Sequence, residues 1–163
     1  MKYILGIDPG KKGGMAVISE KGPISVVNMP ETAMDVLLTI REFKNYVVNP
    51  DDRLVCYIEK VGGIPGQGAS SAFNFGKGCG WLEMCLLAFE IPTEYVTPQK
   101  WQKVYGVGSS SITKSSAAEK REHKNKLKAV AQRLFSSLGK RVTLQTCDSL
   151  LIAQYGRKQE ICR

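Results

Sequence analysis

The run Leu54-Val-Cys-Tyr-Ile58 is apolar at every position. Side chains alternate across a β-strand, so a strand with no polar face must be covered on both sides, inside a sheet that helices pack against. The rest of the chain supplies those layers. Residues 3–8, 13–19 and 24–29 are short β-branched and apolar runs between Gly-rich or Lys-Gly turns, the pattern of an antiparallel meander. Residues 31–46 carry Ala33, Val36, Leu37, Ile40 and Phe43 at helical spacing, and residues 70–89 form a second predicted helix. Residues 92–97 read as a strand, 99–104 as a short helix and 106–116 as a Gly-, Ser- and Thr-rich hinge loop. Leu127, Val130, Ala131 and Leu134 mark one more helix, and residues 148–155 the last. The predicted fold is α/β: a mixed sheet of about five strands, a three-stranded antiparallel meander plus parallel strands, with helices on both faces. A length of 163 residues is that of one domain, spanning 1–163.

Helix 70–89 contains Gly76, Gly78 and Gly80, and each costs about 1 kcal/mol relative to alanine, which close packing should offset. Ala72, Gly76 and Gly80 recur every four residues, a smooth stripe against which either the sheet or a second subunit can pack.

Charge is unevenly placed. Residues 98–141 hold 11 of the 23 Lys and Arg residues but only 2 of the 15 Asp and Glu, while the remainder of the chain is near neutral. Such a patch suits a phosphate backbone, since each neutralised phosphate releases counterions; the plain alternative is a solvated basic helix without a partner. Five cysteines without a Cys-x-x-Cys pair, and His123 as the one histidine, argue against a disulfide framework and a zinc cluster. The opening apolar run is too short for a signal peptide, and no segment approaches the roughly 20 apolar residues of a membrane span, so a cytoplasmic protein without membrane contact is expected.

Two strands end in an acid, Tyr3-Ile-Leu-Gly-Ile-Asp8 and Leu54-Val-Cys-Tyr-Ile-Glu59. If the two are neighbours in the sheet, Asp8 and Glu59 share one region, and two carboxylates there repel unless a cation lies between them. A third acid, Asp148, precedes Leu151, Ile152 and Tyr155 at i+3, i+4 and i+7, on the inward face of its helix. It reads either as a metal ligand or as a charge steadying the helix dipole. Three acids together suit Mg²⁺, with Mn²⁺ as a substitute, because hard cations take oxygen ligands. The chemistry that uses such a site without histidine or a nucleophilic serine is phosphodiester hydrolysis.

Gly-Ile-Asp-Pro-Gly at 6–10, Ile-Glu-Lys-Val at 58–61, Thr-Pro-Gln-Lys-Trp at 97–101, Gly-Val-Gly at 106–108 and Asp-Ser-Leu-Leu-Ile-Ala at 148–153 resemble, in order and spacing, the landmarks of RuvC-family Holliday junction resolvases. The Gly66-Gln67-Gly68 loop and the ending Ala153-Gln-Tyr-Gly-Arg157 most resemble the phage and prophage branch. The resemblance implies an RNase H-like fold, a homodimer, and paired symmetric nicks across a four-way DNA junction, in a bacterial cell or a phage-infected host. It implies that Asp8, Glu59 and Asp148 are catalytic and metal-binding, and that Lys124 approaches the scissile phosphate. Lys124 reads equally as one more residue of a basic face. Nucleic-acid contacts are expected from Lys11, Lys60, Gln67, Lys100, Lys103, Lys114, Arg121, Lys124, Lys126 and Lys128. Two positions depart from the pattern. Gln145 stands where the family places an Asp or His as a fourth metal-site residue, and Gly62 where bacterial members carry an aromatic. Ile64, Phe73 and Phe75 are near enough to replace that aromatic, although both Phe residues also suit a core.

Three other readings compete. A Gly-Ile-Asp-x-Gly turn also resembles the phosphate loop of actin-like and sugar-kinase ATPases, but those need two domains flanking a nucleotide and this chain has the length of one. A non-catalytic nucleic-acid-binding relative would keep the fold without the acids' chemistry. A nuclease of the same fold acting on flaps, forks or RNA-containing hybrids would keep both, and dimeric symmetry is what separates it from a junction enzyme.

Overall fold

The computed structural model describes residues 1–63, 66–108 and 116–162. Its strands are β1 (Lys2–Asp8), β2 (Gly14–Ser19), β3 (Gly22–Asn28), β4 (Arg53–Glu59) and β5 (Thr93–Val96). The helices are α1 (Ala33–Lys44), α2 (Ala69–Ala88), α3 (Pro98–Lys103), α4 (Ala117–Leu134) and α5 (Cys147–Ile161), with a 3₁₀ segment at Ser136–Arg141. The sheet order is β3-β2-β1-β4-β5. β1, β2 and β3 pair antiparallel, whereas β1 with β4 and β4 with β5 pair parallel. The meander and the central buried strand of the sequence reading are both present.

Period-two alternation splits the core. On one face Ile4, Ala16, Ile18, Val55 and Tyr57 meet Trp101, Leu127, Ala131 and the α5 side chains Leu150 to Ala153. On the other, Leu5, Ile7, Met15, Val17, Leu54, Cys56 and Ile58 meet Val36, Ile40 and Phe43 of α1 and Leu82, Cys85 and Leu86 of α2. The two layers explain why Leu54-Val-Cys-Tyr-Ile58 needs no polar position.

Local chemistry starts the helices. Thr32 caps α1, its Oγ1 accepting from Asp35 N at 3.1 Å. Ser116 and Glu119 form a reciprocal capping box on α4, which therefore begins ten residues before the apolar marker Leu127, carried by its cap and its polar solvent face. α5 is buried almost all round, with ten of its 15 residues inside. No helix among the described residues is long and apolar enough to cross a membrane. All five cysteines are free.

The stripe on α2 does not pack on the sheet. A Cβ placed at Gly76, Gly78 or Gly80 would meet nothing within 4 Å, so the expected packing compensation for these glycines is absent among the described residues. The sheet reading of the stripe is corrected accordingly. Close glycine packing occurs elsewhere: a Cβ at Gly6 of β1 would stand 2.2 Å from Ser149 O and 2.4 Å from Ala153 N. The α5 backbone lies directly on that strand.

Candidate active site

The parallel register pairs Ile7 of β1 with Ile58 of β4. The next residue on each strand is an acid, and by alternation Asp8 and Glu59 both project on the face that carries Gly6, Val55 and Tyr57, beneath α5. Asp148, in the first turn of α5, is 7% exposed. Its position follows from Gly6, which admits the α5 backbone against β1, and from Thr143, whose hydroxyl accepts from Gln145 N and Thr146 N at 3.2 Å each and steadies the entry to the helix.

Lys124, on α4, closes the cluster. Its ammonium lies 3.7 Å from Asp8 Oδ2 and donates to Asp148 Oδ2. Cys147 donates its thiol to the other Asp148 oxygen at 3.3 Å, and Trp101 Nε1 donates to Glu59 Oε1 at 2.9 Å. The electrostatics follow from crowding. Burial, then the Asp148 charge, then that of Glu59 hold Asp8 well above the usual carboxylate range, although Lys124 pulls the other way. Glu59 is raised first by burial and then by Asp148, with the Trp101 N–H and Lys124 opposing. Burial would lower Lys124, but Asp148 and Asp8 outweigh it and keep the ammonium charged.

The donors suit a hard cation: all three acids offer oxygen, and their mutual repulsion is what an ion would relieve. Lys124 already supplies positive charge beside Asp8 and Asp148. Among the described residues no three His, Cys, Asp or Glu side chains converge closely enough to ligate one ion as placed. Gln145 is half-buried between the 3₁₀ segment and α5, and its backbone carbonyl would lie 3.2 Å from a Cβ at Gly14, which is Asp8's partner in β2.

The expected nucleic-acid residues spread over two regions. Lys11 and Gln67 line a hollow of about 610 Å³ beside α2; Gln67 also lines a smaller one, about 240 Å³, that reaches Glu59 and Gly62. Lys60, Lys100 and Lys103 are exposed around the ends of β4 and α3, and Arg121 and Lys126 are exposed on α4, where Lys128 is half-buried. Lys126 is paired with Glu122 at 2.7 Å. Lys114 and Ile64 lie outside the described residues. The core role for the two Phe residues is not what the structure holds: Phe73 is 71% exposed, and half-buried Phe75 lines both hollows beside Gly10. The residue that sequence reasoning missed at the site is Trp101. The available signal was its place in Thr97-Pro-Gln-Lys-Trp101, since a buried indole N–H needs an acceptor.

No protein-family model matches the chain, and no curated protein matches it in sequence. Among solved structures the chain is similar to Thermus thermophilus RuvC, with 15% identity, 96% of each chain covered and a TM-score of 0.59. It is also similar to T. thermophilus RuvC in complex with Holliday junction substrate, with 14% identity, 96% of each chain covered and a TM-score of 0.63. At such identities likeness speaks for architecture, and function has to be argued from the site. The five-stranded mixed sheet with helices on both faces is the RNase H-like fold that RuvC has.

Proposed function

We propose that this protein is a metal-dependent endonuclease that resolves four-way DNA junctions, acting as a homodimer that makes paired symmetric nicks. The observation that carries the reading is the pair Asp8 and Asp148 at the Lys124 ammonium, with Glu59 close enough for its charge to act on Asp8, on a fold shared with RuvC. Asp8, Glu59 and Asp148 would hold Mg²⁺ or Mn²⁺, with Gln145 as a weaker oxygen donor, and the ion would lower the pKa of a bound water and offset charge on the phosphate. The chain's own residues do the rest. Lys124 screens the carboxylates until substrate arrives and then offers its charge to the scissile phosphate. Water oxygen bonds to phosphorus, the phosphorus–oxygen ester bond breaks, and the departing oxygen takes a proton, leaving ends that a ligase can seal. Lys60, Lys100, Lys103, Arg121 and Lys128 supply backbone contacts near the acids, and Lys11 and Gln67 contacts on the α2 side.

Dimerisation is supported by α2. Phe73, Met84 and Leu87 are exposed large apolar residues, and at helical spacing they share one stripe with Gly76 and Gly80, whose Cβ positions are open. A second copy of the same stripe would cover it and fix two active sites for a two-fold symmetric substrate. The loop and C-terminal motifs support placement in the phage and prophage branch of the family.

The test is cleavage of a synthetic four-way junction, a fork and a linear duplex by the parent and Asp8→Asn, with Mg²⁺ or EDTA. Symmetric nicks confined to the junction, lost in EDTA and reduced by about 10³-fold or more in the variant, are expected. A junction bound but uncut under Mg²⁺ and Mn²⁺ would leave a binding module, and equal cutting of forks would remove the junction assignment.

A further inference from the structure

Trp101 is fully buried, yet its ring carries a donor that accepts nothing in return. In this protein the donor meets one oxygen of Glu59, Oε1, at 2.9 Å. That bond crosses from α3 to the end of β4 and engages one oxygen of the carboxylate, whose charge interacts with those of Asp8 and Asp148. The support behind Trp101 is unusually well tied. Lys60 N donates to Val96 O at 2.8 Å, which holds the chain leaving β4 beside β5, immediately before α3. Tyr105 packs edge-on against Trp101, with ring centroids 6.5 Å apart, and donates its hydroxyl to Leu151 O at 2.7 Å, one turn beyond Asp148. Gln102, next to Trp101, is bonded to His123 at 3.1 Å, and His123 adjoins Lys124. The segment 101–105 therefore touches β4, α4 and α5, the elements that carry Glu59, Lys124 and Asp148.

We infer that Trp101 is a positioning residue for the metal site: its indole N–H sets the orientation in which Glu59 presents its free oxygen to the cation. The inference rests on the metal-dependent reading above and adds a residue to it. A hydrogen bond to a ligating carboxylate raises the order of the site before the ion arrives, and removing such a bond typically weakens metal binding by about 10- to 100-fold. If Trp101 were only a filler of the core, a smaller aromatic ring would lower stability without touching cation affinity.

Calorimetric titration with Mn²⁺ on the intact protein separates the two. Trp101→Phe keeps an aromatic ring and deletes the donor; its Mn²⁺ dissociation constant is expected to rise by about 10- to 100-fold while thermal unfolding still reports a cooperative fold. In junction cleavage its deficit should shrink as Mg²⁺ is raised to saturation, with KM for the junction unchanged. A second readout does not depend on that variant folding. The chain has two tryptophans, so Trp81→Phe leaves Trp101 as the only indole, and its emission should respond to Mg²⁺ and cease to do so when Glu59→Gln is added. Mn²⁺ affinity in Trp101→Phe equal to the parent's, or a Trp101 emission indifferent to Mg²⁺ in a protein that binds the ion, overturns the inference and leaves the nuclease reading standing. A parent that takes up no cation overturns the metal-dependent reading itself, and this inference with it.

Discussion

Helices α5 and α2 pack on opposite faces of the sheet, and glycine is placed in opposite ways around them. At α5 the glycines belong to the interface: Gly6 of β1 lets the helix backbone touch the strand, and Gly156 of α5 faces the Tyr57 ring, which a Cβ would approach to 2.4 Å. At α2 the glycines face outward, its buried residues are Leu82, Cys85 and Leu86 alone, and every residue from 69 to 74 is exposed. The same residue type thus marks a closed contact on one helix and an open one on the other. α5 holds Asp148 buried against the sheet, whereas α2 leaves uncovered the stripe proposed above to meet a second copy.

The sharpest way to break this comparison is Gly6→Ala. Its methyl would collide with backbone of α5, and backbone cannot rotate away. The expected loss is about 3 kcal/mol, or about 6–12 °C in Tm, read by thermal or urea unfolding. Unfolding within about 0.5 kcal/mol of the parent would show that α5 can lift off β1 at little cost. Gly80→Glu probes the other helix. Because nothing lies near that Cβ, the protomer should fold normally, but a charge buried against a second copy should weaken the dimer by at least about 100-fold. Sedimentation velocity would report monomers, and junction nicks would become unpaired; a variant that stays dimeric and fully active would take α2 out of the interface.

The smallest expected effect concerns the charge that α5 brings to the site. Asp8 is raised above the usual carboxylate range in the folded protein by burial and by Asp148, so the folded state binds its proton more tightly than the unfolded chain does. Stability therefore falls as pH rises from the unfolded carboxylate pKa, about 3.9, through the raised value, and the cost is fully present above that window. In EDTA, Asp8→Asn should accordingly be more stable than the parent near neutral pH by on the order of 1 kcal/mol, or about 2–4 °C, with the gap closing at about pH 4. Parallel Tm profiles across that range would mean that the acids do not burden the fold.

Much of this was legible beforehand, for reasons that lie close together in the chain. Alternation set the strands, and an acid directly after each of two apolar runs pointed to Asp8 and Glu59, because the last residue of a buried strand is where a polar group can first be tolerated. Asp148 was legible from its spacing to Leu151, Ile152 and Tyr155. The α4 start was less so: its first turns are polar on all sides, so apolar periodicity is silent there and the Ser116–Glu119 cap carries the signal.

By itself, then, the sequence determined the element order, the two-layered core and which acids stand at strand and helix ends, since each depends on periodicity over a few neighbouring residues. Only the tertiary structure decided which of them meet. The reach of Lys124 to Asp148, the choice of Glu59 by the Trp101 N–H across 42 positions, and the opposite roles of Gly6 and Gly80 depend on how separate elements dock. Docking is set by shape and burial summed over the whole core, which no local window of residues contains.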